Sequence, residues 1–277
     1  YETNMMIDFV SYQQKRSELG PTYSEYSREL SFSGSTQDYY HLQEAEDFEL
    51  DVEDLCRTLL NGYDFLILCN PNNPTSSAIL KDEMRALLSF CANRDIFVMI
   101  DETYVEFAPS VQEVTAVPYT KEFSNLMVLR GVSKFYAAPG MRFGYGITGN
   151  KEFLSQMKEK QIPWSLNSLG AYAGEQMFKD TSYIRQTRAL ILTERDRIFL
   201  ELKKMSSFKV YFPYGNFILV KILKPEVTSF DVFEACIKEG LMIRDCSSFQ
   251  CLDGEFVRFC IMKPEDNDRL LNVLKTI

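Results

Sequence analysis

Lys134 lies in Ser133-Lys-Phe-Tyr-Ala-Ala-Pro-Gly-Met-Arg142-Phe-Gly-Tyr145, just after the apolar run Leu126–Leu129. A lone lysine is ordinarily solvated, but a lysine amine placed after a buried strand can attack an aldehyde and form a Schiff base. Arg142 follows eight residues later, beyond a Pro-Gly turn, so the chain can fold back toward the amine. A serine hydroxyl beside an arginine suits a phosphate monoester. An aldehyde and a phosphate on one small molecule point to pyridoxal 5′-phosphate, and that cofactor makes further demands. Its pyridine nitrogen needs a carboxylate. Asp101, at the end of the run Ile96–Ile100, is placed to supply one, although a turn cap explains an aspartate there equally well. The phenolic oxygen needs donors, for which Tyr104 and Asn73 are candidates. The ring face needs a stacking partner. Tyr23, in Pro21-Thr-Tyr-Ser-Glu-Tyr26, could serve, with plain core packing as the alternative.

These residues require a scaffold that brings loops together. Residues 63–69 read as a buried strand followed by the loop Asn70-Pro-Asn-Asn-Pro-Thr-Ser76. Residues 81–93 read as a helix, with Met84, Leu87, Leu88 and Cys91 at helical spacing. Residues 96–100 form a second buried strand ending in Asp101-Glu-Thr-Tyr104, and Leu126–Leu129 a third. Strands alternating with helices predict an α/β fold, a mostly parallel sheet with helices on both faces. Ligands of such sheets sit beyond the carboxyl ends of the strands, so the three polar loops could converge on one site. Farther on, residues 182–205 read as one long helix, followed by a linker with Pro213 and Gly215. Phe217–Ile222, Leu241–Arg244 and Phe256–Ile261 read as strands. Residues 229–239 read as a helix, with Thr228 and Asp231 spaced as a capping box and Gly240 at its stop. Pro264 opens a last helix. This second part is a smaller α+β domain. The division is expected as 11–175 and 176–277, with residues 1–10 joining the second unit.

Composition narrows the partners. The 277 residues suit roughly two domains. Thirty basic against 39 acidic residues give a net charge of −9, and there is no basic block, so nucleic acid is a poor partner. The longest apolar runs are far short of the roughly 20 residues needed to cross a bilayer. Tyr1-Glu-Thr-Asn-Met shows no leader pattern. Seven cysteines with no Cys-x-x-Cys read as reduced cytoplasmic thiols. The single histidine, His41, argues against a His-rich zinc site and against Ser-His-Asp catalysis.

With these residues in place the chain resembles the fold-type I pyridoxal-phosphate enzymes, and within them the class I/II aminotransferases. The resemblance runs from about residue 17 to the end. It rests on Asn70-Pro-Asn-Asn-Pro-Thr-Ser, Asp101-Glu-Thr-Tyr, Ser133-Lys through Tyr145, and Val257-Arg258-Phe, four motifs in the family's order. It implies that Lys134 forms the Schiff base, that Asp101 pairs with the pyridine nitrogen, and that Tyr104 and Asn73 hold the phenolic oxygen. It also implies that Ser133 and Arg142 hold the phosphate, that Arg258 holds the substrate carboxylate, and that the enzyme is a homodimer with its site at the interface. Within the family the chain resembles the histidinol-phosphate aminotransferase and threonine-phosphate decarboxylase branch, and Lys134-Phe-Tyr-Ala-Ala-Pro-Gly and Gln161-Ile-Pro-Trp-Ser-Leu-Asn167 are more similar to the decarboxylase. In that branch an arginine after a short strand, here Arg244, helps bind the substrate's anionic groups. Trp164 stands where histidinol-phosphate enzymes usually carry tyrosine, which leans toward the decarboxylase. A non-catalytic cofactor sensor fused to a DNA-binding domain is the rival reading, and the acidic chain without a basic patch speaks against it.

The sequence departs from the family in three places. Ser76 replaces the usual glycine, and Gly131 replaces a phosphate-binding serine or threonine. The early glycine-rich loop that caps the cofactor phosphate, and the segment that lends a tyrosine to the partner, are not found. Met6-Ile-Asp-Phe9 resembles the family's N-terminal strand, yet Pro21 follows within about a dozen residues, too few for a strand, a helix and a linker. Either the chain is truncated or the numbering passes over residues, with the gap expected near Val10–Lys15.

Overall fold

Phe65–Cys69 and the run Phe97–Ile100 are apolar throughout because helices cover both faces of the sheet they lie in. The computed structural model describes residues 15–32, 36–161 and 163–277. The larger sheet contains β1 (Lys15–Gly20), β2 (Thr36–His41), β3 (Phe65–Cys69), β4 (Phe97–Asp101), β5 (Leu126–Gly131) and β6 (Gly144–Ile147), in the order β2-β1-β3-β4-β5-β6. The first five are parallel, and β6 runs antiparallel to β5. Alternate residues of β3 enter different cores. Leu66 and Leu68 pack with Met84 and Leu87 of the helix Lys81–Ala92, whereas Phe65 and Ile67 share a core with Ile198 and Leu202 of the helix Thr181–Leu202. The second sheet is antiparallel, with β7 (Phe208–Val210), β8 (Phe217–Ile222), β9 (Arg244–Asp245) and β10 (Phe256–Cys260) in the order β7-β8-β10-β9. The expected α/β fold with a smaller α+β part is therefore what forms.

Several elements differ from the sequence reading. Leu241–Arg244 is not a strand, since only Arg244–Asp245 pairs with β10. Gly240 takes φ 72° and the Leu241 N–H bonds Cys236 O at 2.9 Å, so Leu241 closes the preceding helix instead of entering the ladder. The long helix ends at Leu202 rather than 205, which frees Phe208–Val210 to form the unanticipated β7. The capping box did form: Thr228 N donates to Asp231 Oδ2 at 2.9 Å, and Asp231 N to Thr228 Oγ1 at 3.1 Å. No helix among the described residues is long and apolar enough to cross a membrane. All seven cysteines are free thiols.

The largest surprise is β1, which reads Lys-Arg-Ser-Glu-Leu-Gly and yet lies between β2 and β3. Arg16, Ser17 and Glu18 are at most 1% exposed, where an apolar run is the norm. The Arg16 guanidinium lies 5.9 Å from the Phe65 ring centroid. The segment Met6–Phe9 and all but Lys15 of the expected gap lie outside the described residues.

Burial pushes the Glu18 carboxyl up to about 7, with the Tyr39 hydroxyl opposing. The folded chain therefore keeps this proton to higher pH than the unfolded chain, whose carboxyl lets it go near 4.5. Stability is lost as pH rises through that interval. Wild type should lose about 3 kcal/mol more than Glu18→Gln between pH 4.5 and pH 7 in urea unfolding. Parallel pH profiles for the two proteins would contradict this account of Glu18.

Candidate active site

Four parallel strands end on the same edge of the sheet, and each delivers a polar group there. β1 leads to Tyr23, β3 to Asn73, β4 ends on Asp101, and β5 leads to Ser133 and Lys134. They line one cleft of about 200 Å³, together with Tyr26, Cys69, Thr103, Tyr104, Pro139 and Arg142. Seven of the nine site residues expected from sequence thus meet at one place: Tyr23, Asn73, Asp101, Tyr104, Ser133, Lys134 and Arg142. The other two, Arg244 and Arg258, lie on neighbouring strands and reach different surroundings.

Asp101 is buried and richly supplied with donors. Tyr26 donates its hydroxyl to Oδ2 at 2.6 Å, while Thr103 gives Oδ1 its backbone N–H at 2.9 Å and its hydroxyl at 2.5 Å. The Thr103 contact is the local turn that an aspartate favours, so the capping and site readings of Asp101 hold together. The neighbouring Glu102 is also buried. It accepts from Arg130 Nε at 3.0 Å and Nη2 at 2.7 Å, from Thr115 Oγ1 at 2.8 Å and from Ala116 N at 2.5 Å. Burial raises its pKa, with Arg130 opposing. Arg130 also lies 3.7 Å from Glu106, whose carboxyl burial lifts to about 7.

The Pro/Asn loop divides its amides between scaffold and site. Asn70 receives the Ile79 N–H at 2.8 Å and donates to Val114 O at 3.0 Å. Asn72 donates to Pro21 O at 2.8 Å, which ties the loop to the end of β1. Asn73 is left to face the cleft, where Arg258 Nη1 donates to its Oδ1. Ser76 takes φ 61°, a left-handed backbone that favours glycine, and its hydroxyl accepts the Gly215 N–H at 2.8 Å. That bond to the second part of the chain is one a glycine could not make. At Gly131 a Cβ would meet Phe143 O at 3.4 Å, so steric room does not dictate this glycine.

The remaining groups sit as follows. Lys134 Nζ lies 5.9 Å from the centroid of the buried Tyr104 ring, which packs edge-on against Phe217 at 4.9 Å. Burial raises the Tyr104 pKa, so it stays a protonated donor. Tyr23 is 43% exposed. Arg142 takes φ 49° and donates to Pro139 O at 3.1 Å. Arg258 stacks at 5.0 Å over Phe217, and its Nε is buried with no partner among the described residues. Arg244, directly opposite Arg258 in the β9–β10 register, is exposed and donates to Ser248 at 2.7 Å. It does not line the cleft.

Tyr26, Thr103 and Cys69 were missed as site residues. A signal existed for two of them, since Tyr26 follows Tyr23 at helical spacing and Thr103 follows Asp101 at turn spacing. For Cys69 the apolar run hid its place opposite Asp101 in the sheet register.

The donor set suits pyridoxal phosphate: an amine, a buried carboxylate, a phenol, an amide, and a hydroxyl with a guanidinium for the phosphate. The orphaned Arg258 Nε adds a donor suited to an anion. The profile of the family described as Aminotransferase class I and II matches residues 18–274. A threonine-phosphate decarboxylase of Salmonella typhimurium is 30% identical over 93% of this chain and 69% of its own length. A histidinol-phosphate aminotransferase of Methanococcus aeolicus is 30% identical over 93% and 67%. The crystal structure of the histidinol-phosphate aminotransferase from Clostridium acetobutylicum superposes with a TM-score of 0.91 at 32% identity, over 99% of this chain and 81% of that one.

The Glu102–Arg130 pair makes a testable demand. Removing one partner strands a buried charge, so Arg130→Met should lower unfolding stability by about 3 kcal/mol or more. A urea midpoint within the error of wild type would show that the pair is dispensable.

Proposed function

The chain belongs to the aminotransferase class I and II family of enzymes, and from that premise we propose that it uses pyridoxal 5′-phosphate to act on an amino acid or amino phosphate bearing a phosphate group. Threonine-phosphate decarboxylation is the first reading. The observation that carries the proposal is the single cleft in which Lys134, Asp101, Ser133 and Arg142 meet. When bound, the cofactor supplies an electron sink for the pair left at the substrate α-carbon. Lys134 Nζ would hold its aldehyde carbon and, once released, move a proton at the α-carbon. Asp101 would keep the ring nitrogen protonated. Tyr104 and Asn73 would donate toward the phenolic oxygen, Tyr23 would cover the ring face, and Ser133 with Arg142 would grip the phosphate.

Arg258 would hold the substrate carboxylate, and Arg244, outside the cleft lining but opposite Arg258 in the strand register, would leave Ser248 to meet a second anionic group. Transamination and decarboxylation share every cofactor-binding residue. They differ in which α-carbon bond stands perpendicular to the ring, and the two arginines set that choice. Histidinol-phosphate transamination is the second reading, favoured by the 32% identity to the Clostridium acetobutylicum enzyme. Within the proposal, residues 11–175 bind the cofactor and 176–277 grip the substrate, in a cytoplasmic homodimer with no membrane or nucleic-acid partner. Trp164, Leu169 and Tyr172, exposed by 98%, 76% and 66%, fit a surface that a second copy covers.

Three measurements test this reading. Protein supplied with cofactor should show a visible absorption band that borohydride abolishes while modifying Lys134. Lys134→Ala should lose turnover by many orders of magnitude, so normal turnover in that variant would sink the assignment. Threonine phosphate should be preferred over threonine by about tenfold or more, a lost charge-assisted bond being worth roughly 1.5–3 kcal/mol. Arg244→Ala should erase most of that preference without changing the band. Equal rates with unphosphorylated amino acids would instead make the protein a general aminotransferase. Light scattering should give a dimer that weakens in a Trp164→Ser, Leu169→Ser double variant, and a fully active monomer at high dilution would refute the dimer.

A further inference from the structure

A carboxylate offers about four acceptor positions, two on each oxygen. At Asp101, Oδ1 receives both the Thr103 N–H at 2.9 Å and the Thr103 hydroxyl at 2.5 Å, while Oδ2 receives only the Tyr26 hydroxyl at 2.6 Å. Among the described residues one position therefore remains, and it is on Oδ2. We infer that Tyr26 is a positioning residue that shares Oδ2 of Asp101 with the ring nitrogen of the cofactor, fixing the carboxylate's rotation and moderating its basicity. The inference rests on the pyridoxal-phosphate reading of the cleft.

Tyr26 is built for this task. It is 1% exposed, it lies in the first turn of the helix Glu25–Phe32, and its ring meets Tyr23 edge-on at 5.5 Å. Burial, reinforced by the Asp101 charge, holds its pKa well above the ordinary tyrosine value, so its proton stays available to donate. The other groups that feel the Asp101 charge are the Cys69 thiol, which donates to Pro71 O at 3.3 Å, and the Tyr23 and Tyr104 hydroxyls, and burial raises the pKa of all three so that they stay neutral. Among the described residues Asp101 is the one carboxylate lining the cleft, and Tyr26 sets how much of its charge reaches the ring.

The test is a pH titration of the visible absorption band of the cofactor-loaded enzyme. Tyr26→Phe keeps the buried ring and removes only the donor. More negative charge then remains on Oδ2, the ring nitrogen holds its proton more firmly, and the midpoint of the band's pH transition should rise by about half a unit. The kcat should fall about tenfold with KM within about twofold, because the substrate's anionic groups are met by arginines and not by Asp101. A melting temperature close to wild type would separate this from unfolding, which moves no spectral midpoint. Thr103→Val removes a donor from the other oxygen and should shift the midpoint in the same direction, so it serves as the second variant if Tyr26→Phe does not fold. A midpoint that moves by less than about 0.2 unit in whichever of these variants folds would overturn the inference. Wild-type enzyme with no borohydride-sensitive band would instead overturn the cofactor reading beneath it.

Discussion

Asp101 ends β4 inside the protein, and a carboxylate taken out of water must be met by donors or lose its charge. Much of the cleft answers that demand. Thr103 folds back in a tight turn, and the helix Glu25–Phe32 is set so that Tyr26 reaches Oδ2 from the end of β1. The consequence is a charge already fixed in place, with one acceptor position that no described residue fills. An arrangement that needs no reorganisation when charge develops is the kind that catalysis uses.

The neighbouring residue shows how the same chain reversal also serves the scaffold. Glu102 takes up Arg130, Thr115 and the Ala116 N–H, while Asp101 lines the cleft. The Asp-Glu pair therefore fastens the loop and arms the site at once. Arg188 and Arg195 of the long helix then donate to carbonyls of Glu106, Ala108 and Phe107 in the segment that follows.

The two sheets are bound at several points around the cleft. Arg258 meets Asn73, Ser76 accepts from Gly215, and Arg195 donates to Tyr214 O and Gly215 O, both at 3.3 Å. On another side Lys221 pairs with Glu44 at 2.6 Å, and Phe48 packs on Tyr211 at 5.0 Å. A motif that reads as one loop in sequence, Asn70 to Ser76, thus anchors β1, supplies the site and grips the smaller sheet.

The sequence by itself determined the residues that have a chemical signature at fixed spacing. Lys134, Arg142, Asp101, Tyr104 and Asn73 could be picked out because strand-loop boundaries are local, and a parallel sheet sends its carboxyl ends to one edge. Helix caps such as Thr228 with Asp231 were legible for the same reason, since both partners lie within one turn. What the tertiary structure decided was everything set by neighbours distant in the chain. The polar strand Lys15–Gly20 is central only because β2 and β3 flank it, and no local pattern announces a buried Arg16 or Glu18. Leu241 leaves the ladder because its N–H closes a helix. Arg244 and Arg258, read alike from sequence, part company, because one faces solvent beside Ser248 and the other is drawn onto Asn73 and Phe217. Tyr26 joins Asp101 across 75 residues, a meeting fixed by the register of three strands rather than by any spacing along the chain.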